Sequence, residues 1–211
     1  MVRKQRKETE LNIVLSLSFK NKIMKIRLAT NEIQRDSIVD GEGIRSLIWT
    51  QGCPHNCKGC HNPETHSFTS GYLLDVEDIL KKIDMLEGQD GITFSGGDPM
   101  EQAEACYNIA KHCKKLGLNI WCYTGYTYEQ LLERSKHFPY IKKFLSVIDV
   151  LVDGKFILEE KSLNLKFRGS KNQRIIDVPK SLRENKVCLI PNYIQEKSYD
   201  KLIKKDHYMY I

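Results

Sequence analysis

Three closely spaced cysteines are the residues of this chain whose types and spacing point most directly to chemistry. Cys53, Cys57 and Cys60 form a C-x3-C-x2-C arrangement. Three thiolates from one short loop can hold three irons of a cubane [4Fe–4S] cluster, whereas most electron-transfer clusters use four cysteines. The fourth iron then lacks a protein ligand, and a molecule with an amine and a carboxylate can chelate it. S-adenosylmethionine carries both groups, so an electron from the reduced cluster could break one of its C–S bonds.

A structural zinc ion is the alternative for the same loop. His55 or His61 could supply a fourth ligand and close a Cys3His site. Zinc sites more often draw two pairs of ligands from separate segments, whereas all the candidate ligands here lie between residues 53 and 61. The spacing therefore favours an iron–sulfur cluster and leaves zinc open.

Alternating strand and helix patterns must position this loop. The predicted strands are MKIRLA (24–29), SLIWTQG (46–52), GITFSGG (91–97), NIWCYTG (119–125) and VIDVLVDG (147–154). Apolar residues at helical spacing predict helices over 76–86 and 106–116, and a further helix is expected over 128–136. Strands that alternate with helices of this length indicate βαβ units and a parallel sheet.

Two of these predicted strands end in glycine-containing segments, SGGD (95–98) and YTG (123–125). Ligands of parallel sheets gather at the carboxyl ends of the strands, so both segments are expected on the same rim as the cysteine loop. Glycine lets the backbone approach a ligand closely. A carboxylate or carbonyl in such a segment can accept hydrogen bonds from an ammonium group.

These segments together resemble a known family. The cysteine motif is the signature of the radical S-adenosylmethionine superfamily, and the run over 36–66 is similar to its glycyl-radical-enzyme activating branch. Four later segments narrow the resemblance to the activating proteins of anaerobic ribonucleoside-triphosphate reductase: SGGDPM (95–100), YTGYTYEQL (123–131), IDVLVDGKF (148–156) and FRGSKNQRIIDV (167–178). The resemblance covers about residues 24–180.

The resemblance implies a fold and a reaction. The fold is α/β, an incomplete parallel (β/α) barrel of the radical S-adenosylmethionine type. A reduced [4Fe–4S] cluster would cleave S-adenosyl-L-methionine to methionine and a 5′-deoxyadenosyl radical, which takes a Cα hydrogen from one glycine of the partner reductase. The electron would come from a reduced flavodoxin or a similar low-potential donor.

The resemblance also implies which residues form the site. Cys53, Cys57 and Cys60 map onto the ligands of the metal cluster. The expected contacts of S-adenosylmethionine are Gly59, Cys60, His61, Ser95, Gly96, Gly97, Asp98 and Thr124. Gly59 stands where an aromatic residue is frequent, which leaves adenine contacts to the backbone, and Asp98 stands where glutamate is commoner, which shortens the reach of the acid. No catalytic side chain is expected, since the cluster-bound S-adenosylmethionine carries the chemistry.

Two alternatives to this function differ in class. One is an activating enzyme of another glycyl-radical enzyme, of the formate-lyase type, which the segments TGYTYEQL and RGSKNQR disfavour. The other is a zinc-stabilised binding module, which leaves the glycine-rich strand ends at 95–98 and 123–125 without explanation. The segment 168–174 matches the family, although its residues indicate no particular chemistry.

Composition and charge restrict the class of protein. The 211 residues are 41% hydrophobic and 28% charged, which suits one domain and is too short for two. No apolar run approaches the roughly 20 residues of a membrane span. Much of the net charge of +6 lies in residues 1–23, so neither a nucleic-acid nor a membrane partner is expected. We predict a poorly ordered basic extension over 1–23 and a single domain over 24–211.

The other four cysteines indicate packing and a reducing compartment. Cys106 and Cys113 share the apolar stripe of a predicted helix, Cys122 lies in a predicted strand, and Cys188 stands apart. Buried free cysteine behaves as a small hydrophobe. Because the clustered cysteines suit a metal better than disulfides, we expect a cytoplasmic protein.

Overall fold

The computed structural model describes residues 23–193, and these residues build helices around a mixed sheet. The strands are β1 (Lys25–Leu28), β2 (Gln34–Ser37), β3 (Arg45–Thr50), β4 (Tyr72–Asp75), β5 (Gly91–Gly96), β6 (Asn119–Tyr123), β7 (Val150–Asp153) and β8 (Arg174–Asp177). The helices are α1 (Val76–Asp84), α2 (Ala103–Lys115), α3 (Tyr128–Arg134), α4 (Pro139–Leu145) and α5 (Val178–Glu184). The predicted basic extension over 1–23 lies outside the described residues except for Ile23.

The sheet has the strand order β4-β1-β3-β5-β6-β7-β8, and β2 pairs with β3 beside this path. Strands β3, β5, β6 and β7 are parallel, as the alternation of strands and helices predicts. The pairs at the edges are antiparallel, which makes the sheet mixed rather than wholly parallel. An antiparallel neighbour needs no helical crossover, and residues 154–173 join β7 to β8 without an α-helix.

The parallel strands form the centre of the sheet, where they are largely buried on both faces. On β6, Ile120 and Cys122 lie in the main core with the helices, whereas Trp121 points to the other side of the sheet. There Trp121 meets Phe167 and Tyr193 edge to face, at ring-centroid distances of 5.3 and 6.4 Å. The sheet thus separates a helix-covered core from a second, aromatic cluster.

The helices cover the first face with the stripes that their sequences predict. Helix α1 buries Val76, Ile79 and Ile83, and α2 buries a longer stripe that includes Cys106 and Cys113. Both cysteines are fully buried, and burial raises the pKa of the Cys113 thiol to about 12. These thiols therefore pack as apolar side chains. None of the helices within residues 23–193 combines the length and the apolar character that a bilayer crossing requires.

The carboxyl ends of three adjacent parallel strands determine where ligands can bind. Thr50 at the end of β3 pairs in register with Gly96 at the end of β5, and Phe94 pairs with Cys122 on β6. The segment after β3 contains the three clustered cysteines, so it emerges next to the glycine-rich ends of β5 and β6.

Candidate active site

A cavity of about 430 Å³ opens at the carboxyl ends of β3, β5 and β6. Most of the residues expected in the site line it: Cys53, Cys57, Cys60, His61, Ser95, Gly96, Gly97 and Thr124. Gly59 and Asp98 are absent from its wall among the described residues. The fold therefore brings the three thiols of residues 53–60 and the glycine-rich strand ends at 95–98 and 123–125 to one opening.

Backbone hydrogen bonds close the base of the cysteine loop. The amide of Gly52 donates to the carbonyl oxygen of Thr65 at 2.8 Å, and that of Cys53 donates to His66 at 3.1 Å. Inside the loop, the amide of Cys60 donates to the carbonyl oxygen of Cys57 at 3.1 Å. These bonds close the segment into a loop at the end of β3. The three thiols therefore stay together beside the strand ends.

The three thiols are half-buried and free of disulfides. Burial, together with the nearby charges of Asp98 and the other two thiols, raises the pKa of the Cys53 thiol to about 11. A thiolate is the form that ligates metal, so binding to Cys53 displaces a proton. Thiolates in this loop repel one another, and a bound cationic metal centre would offset that repulsion.

Gly96 and Gly97 allow the end of β5 to lie directly on the backbone of β3 and its loop. A Cβ on Gly96, whose φ is +97°, would lie 2.5 Å from the carbonyl oxygen of Thr50. A Cβ on Gly97 would lie 2.8 Å from the carbonyl carbon of Gly52. The crowding at both glycines is with the chain itself. Their lack of side chains therefore fixes the relative position of the strand end and the cysteine loop.

Asp98 lies beneath this rim with none of its surface exposed. Its carboxylate accepts hydrogen bonds from the Met100 amide at 3.0 Å, the Thr124 hydroxyl at 2.9 Å and the Gly125 amide at 3.0 Å. The Nε2 atom of His55 lies 2.7 Å from Asp98 Oδ2. The carboxylate is thus engaged by four groups of the protein.

The two histidines of the cysteine loop are packed against other residues. The side chain of His55 is only 5% exposed, since it pairs with Asp98 and meets the ring of Tyr126 edge to face at 4.4 Å. His61 packs against Phe156 at a ring-centroid distance of 5.1 Å. In residues 23–193, no three His, Cys, Asp or Glu side chains converge on one metal ion. Each thiolate of a cubane binds a different iron, so a cluster does not require such convergence.

Two buried polar atoms on residues of the cavity wall lack a partner within the described part of the chain. They are Nε2 of His66 and Nε of Arg168. The other guanidinium nitrogens of Arg168 donate to the carbonyl oxygens of Gln173 and Tyr193, each at 2.9 Å. Buried polar groups in proteins almost always have partners, so these two atoms beside the cavity are exceptions.

The wall opposite the strand ends comes from the segment between β7 and β8. It contributes Phe156, Leu165, Phe167, Arg168, Gly169 and Gln173. The sequence of this segment indicates no particular chemistry, and no sequence pattern predicts His66 as a site residue. The only signal was that 148–156 and 167–178 match the family. Gly59 also faces this side, because its ideal Cβ would lie 3.0 Å from Cδ1 of Leu158.

Comparison with known proteins finds an iron–sulfur family and reductase-activating relatives. A family model described as a 4Fe-4S single cluster domain matches residues 39–176. The chain is 36% identical over 146 residues to the anaerobic ribonucleoside-triphosphate reductase-activating protein of Haemophilus influenzae, and 39% identical over 146 residues to that of Vibrio cholerae; both alignments cover 65% of this chain and 90% of the relative. It is 38% identical over 115 residues to the pyruvate formate-lyase-activating enzyme of Clostridium pasteurianum, covering 51% of this chain and 48% of that enzyme.

Proposed function

This chain belongs to the 4Fe–4S single cluster domains and to the anaerobic ribonucleoside-triphosphate reductase-activating proteins, and we propose that the cavity at the ends of β3, β5 and β6 is its active site. It is a radical S-adenosylmethionine enzyme that activates a glycyl-radical enzyme. Its protein substrate is the anaerobic ribonucleoside-triphosphate reductase. One observation carries the assignment to this cavity: three thiols and two glycine-rich strand ends line it together.

When bound, the reduced [4Fe–4S] cluster supplies reductive cleavage of S-adenosylmethionine to methionine and a 5′-deoxyadenosyl radical that takes a Cα hydrogen from a glycine of the reductase. Cys53, Cys57 and Cys60 would hold the cluster, because they are the thiols that line the cavity. The buried cysteines Cys106 and Cys113 pack in the helix-covered core and are not ligands.

The rest of the wall suits S-adenosylmethionine. Ser95, Gly96 and Gly97 at the end of β5 line the cavity together with the thiols, and the two glycines place no side chain there. His66 and Arg168 belong to the same wall, and we propose that they lie beside polar groups of this molecule. Phe156 and Phe167 add apolar surface to the cavity wall.

Several finer features belong to the same proposal. The four parallel strands would form part of an incomplete (β/α) barrel. The antiparallel strands at the edges of the sheet would leave this barrel open. The electron donor would be a flavodoxin or a similar low-potential protein, and the compartment would be the cytoplasm. The single domain over 24–211 stays a prediction.

An activating enzyme of the formate-lyase type is the second candidate, because one relative with that name shares 38% identity. That match covers 48% of the relative, whereas the reductase-activating relatives are covered to 90%. The zinc-stabilised module is disfavoured by the packing of His55, whose Nε2 atom is paired with Asp98 and is not available to close a Cys3His site through that atom.

Anaerobic reconstitution tests the chemistry. The protein is supplied with iron and sulfide, reduced, and given S-adenosylmethionine, and 5′-deoxyadenosine is quantified by liquid chromatography. We expect a brown protein that forms 5′-deoxyadenosine only when it is reduced. A colourless protein that holds one zinc ion and forms none would contradict the proposal.

A further inference from the structure

We propose that Asp98 is a positioning residue that fixes the cysteine loop to the ends of β5 and β6 through His55, Thr124 and Gly125, without itself contacting S-adenosylmethionine. The inference rests on the proposed function, because it concerns how this protein holds its cluster. It assigns a role to the pair formed by Asp98 and His55, which lie 43 residues apart in sequence.

The first argument is that the Asp98 carboxylate has no free position for a further hydrogen bond. An ionised carboxylate offers about four lone-pair positions. In Asp98 these face the amides of Met100 and Gly125, the hydroxyl of Thr124 and the ring of His55, at 2.7–3.0 Å. An ammonium group would have to displace one of these four groups at a residue that has no exposed surface.

The second argument is that the four partners come from three different segments. His55 lies between two of the cluster cysteines, Met100 follows the β5 end, and Thr124 and Gly125 follow β6. One side chain therefore joins the cysteine loop to the ends of β5 and β6. The Thr124 hydroxyl donates to Asp98 and also accepts from the Tyr126 amide at 3.2 Å, which continues the network into the turn before α3.

The third argument is the close fit around the ring of His55. A Cβ on Gly125 would lie 2.6 Å from Nε2 of His55, so only glycine leaves room for the ring. Tyr126 covers the ring edge to face at 4.4 Å. A ring held by packing and by a hydrogen bond restrains the backbone of the loop on both sides of it. Residues that hydrogen-bond to the segment carrying the metal ligands help to orient those ligands.

The length of the acid also suits this geometry. The short side chain of Asp98 keeps the carboxylate beneath the rim, where none of the residue is exposed. Glutamate would add a methylene group to this buried site. Aspartate therefore suits a residue that joins segments.

The test compares Asp98→Asn, His55→Leu, His55→Gln and the double variant Asp98→Asn/His55→Leu in the full chain. Iron per protein after reconstitution and the electron paramagnetic resonance spectrum of the reduced cluster are recorded before and after S-adenosylmethionine is added. We expect Asp98→Asn and His55→Leu each to lower cluster retention roughly tenfold or more, or to change the spectrum before that addition. The double variant should be no worse than Asp98→Asn, because the two residues act as a unit. His55→Gln should recover most of the loss, since its amide can still donate to Asp98.

Asp149→Asn is the matched control. Asp149 accepts hydrogen bonds from the Ile120 amide at 2.7 Å and from Lys114 at 2.8 Å, at the opposite end of β6 and β7. The Asp149→Asn variant should lower the free energy of unfolding and leave the cluster spectrum unchanged. If Asp98→Asn does not fold, the two His55 variants carry the test on their own.

The result that would overturn the inference is an Asp98→Asn protein with full iron content and a wild-type spectrum that binds S-adenosylmethionine more weakly, because Asp98 would then be a contact of that molecule. Equal losses in His55→Gln and His55→Leu would overturn it as well. A wild-type protein that holds no cluster would instead contradict the proposed function, so the two failures are distinguishable.

Discussion

Gly97 lies so close to Gly52 that a methyl group on Gly97 would stand 2.8 Å from the Gly52 carbonyl carbon. The Asp98 amide donates to the carbonyl oxygen of the same Gly52 at 2.8 Å. Gly52 immediately precedes the first cluster cysteine, so this contact sets the distance between the cysteine loop and the end of β5.

Gly97→Ala should therefore destabilise the protein and weaken cluster binding together. The methyl group meets backbone atoms that cannot rotate away, and overpacking of this kind costs about 1–3 kcal/mol. Urea unfolding and iron content after reconstitution measure the two effects. Gly88→Ala is the control, because within residues 23–193 no atom beyond its two chain neighbours would lie within 4 Å of its Cβ. Its positive φ costs about 1 kcal/mol, and it should keep its iron; equal iron loss in both variants would refute the prediction.

Cys57→Ala should abolish formation of 5′-deoxyadenosine, because one iron then lacks its thiolate. Cys188→Ala provides the comparison, since Cys188 is buried outside the cavity, where its thiol lies 3.5 Å from a Glu184 carboxylate oxygen. That variant should form the product at the wild-type rate. Product from Cys57→Ala at the wild-type rate would exclude Cys57 as a ligand.

The ion pair of Glu129 with Arg174 should contribute a small, pH-dependent stability. The hydrogen bond from Arg174 lowers the pKa of Glu129 from 4.5 to about 2. A lowered pKa in the folded state means that the contribution is complete above about pH 4.5 and disappears as the pH falls towards 2. Because the Glu129 side chain is 58% exposed, we expect less than about 1 kcal/mol at pH 7.

Urea unfolding of the wild type and of Glu129→Gln at pH 7 and pH 3 measures this contribution. The difference in free energy of unfolding should shrink at the lower pH. Glu87→Gln changes an exposed carboxylate elsewhere and should show no comparable trend. A difference that grows as the pH falls would contradict the assignment.

Arg45→Leu should destabilise the sheet by about 2–4 kcal/mol, because it leaves buried acceptors without donors. The guanidinium of Arg45, only 1% exposed, donates to the Thr93 hydroxyl at 2.7 Å and to the carbonyl oxygens of Ile92 and Asn119 at 2.8 and 2.9 Å. Burial lowers its pKa to about 10. Urea unfolding compares this variant with Arg183→Leu, an exposed position on α5 where little change is expected. A loss at Arg45 no larger than at Arg183 would refute the prediction.

The parallel centre of the sheet and the family could be predicted from the sequence. Apolar strands that alternate with amphipathic helices have few other arrangements, and the comparisons confirm the resemblance carried by the cysteine motif. Strand β2, with the polar sequence QRDS, and β8, which follows a long segment without a helix, show no such pattern. Their pairing depends on neighbours that are distant in sequence.

The role of Asp98 could not be predicted for a related reason. The motif around it indicates a ligand site, whereas three of its partners lie at positions 55, 124 and 125 and reach it only in the folded chain. Likewise, the unpaired atoms of His66 and Arg168 can be identified only from the folded structure. The sequence identifies the cysteines and the glycine-rich strand ends that line the cavity, and the structure adds His66 and the segment between β7 and β8.

The most direct measurement of the central claim is electron paramagnetic resonance of the reductase after incubation with the reduced, cluster-loaded protein and S-adenosylmethionine. We predict a glycyl radical signal on anaerobic ribonucleoside-triphosphate reductase, and none when Cys57→Ala replaces the wild type. Pyruvate formate-lyase, offered in parallel, should stay without signal. A radical on pyruvate formate-lyase alone, or 5′-deoxyadenosine formation without a radical on the reductase, would contradict the account.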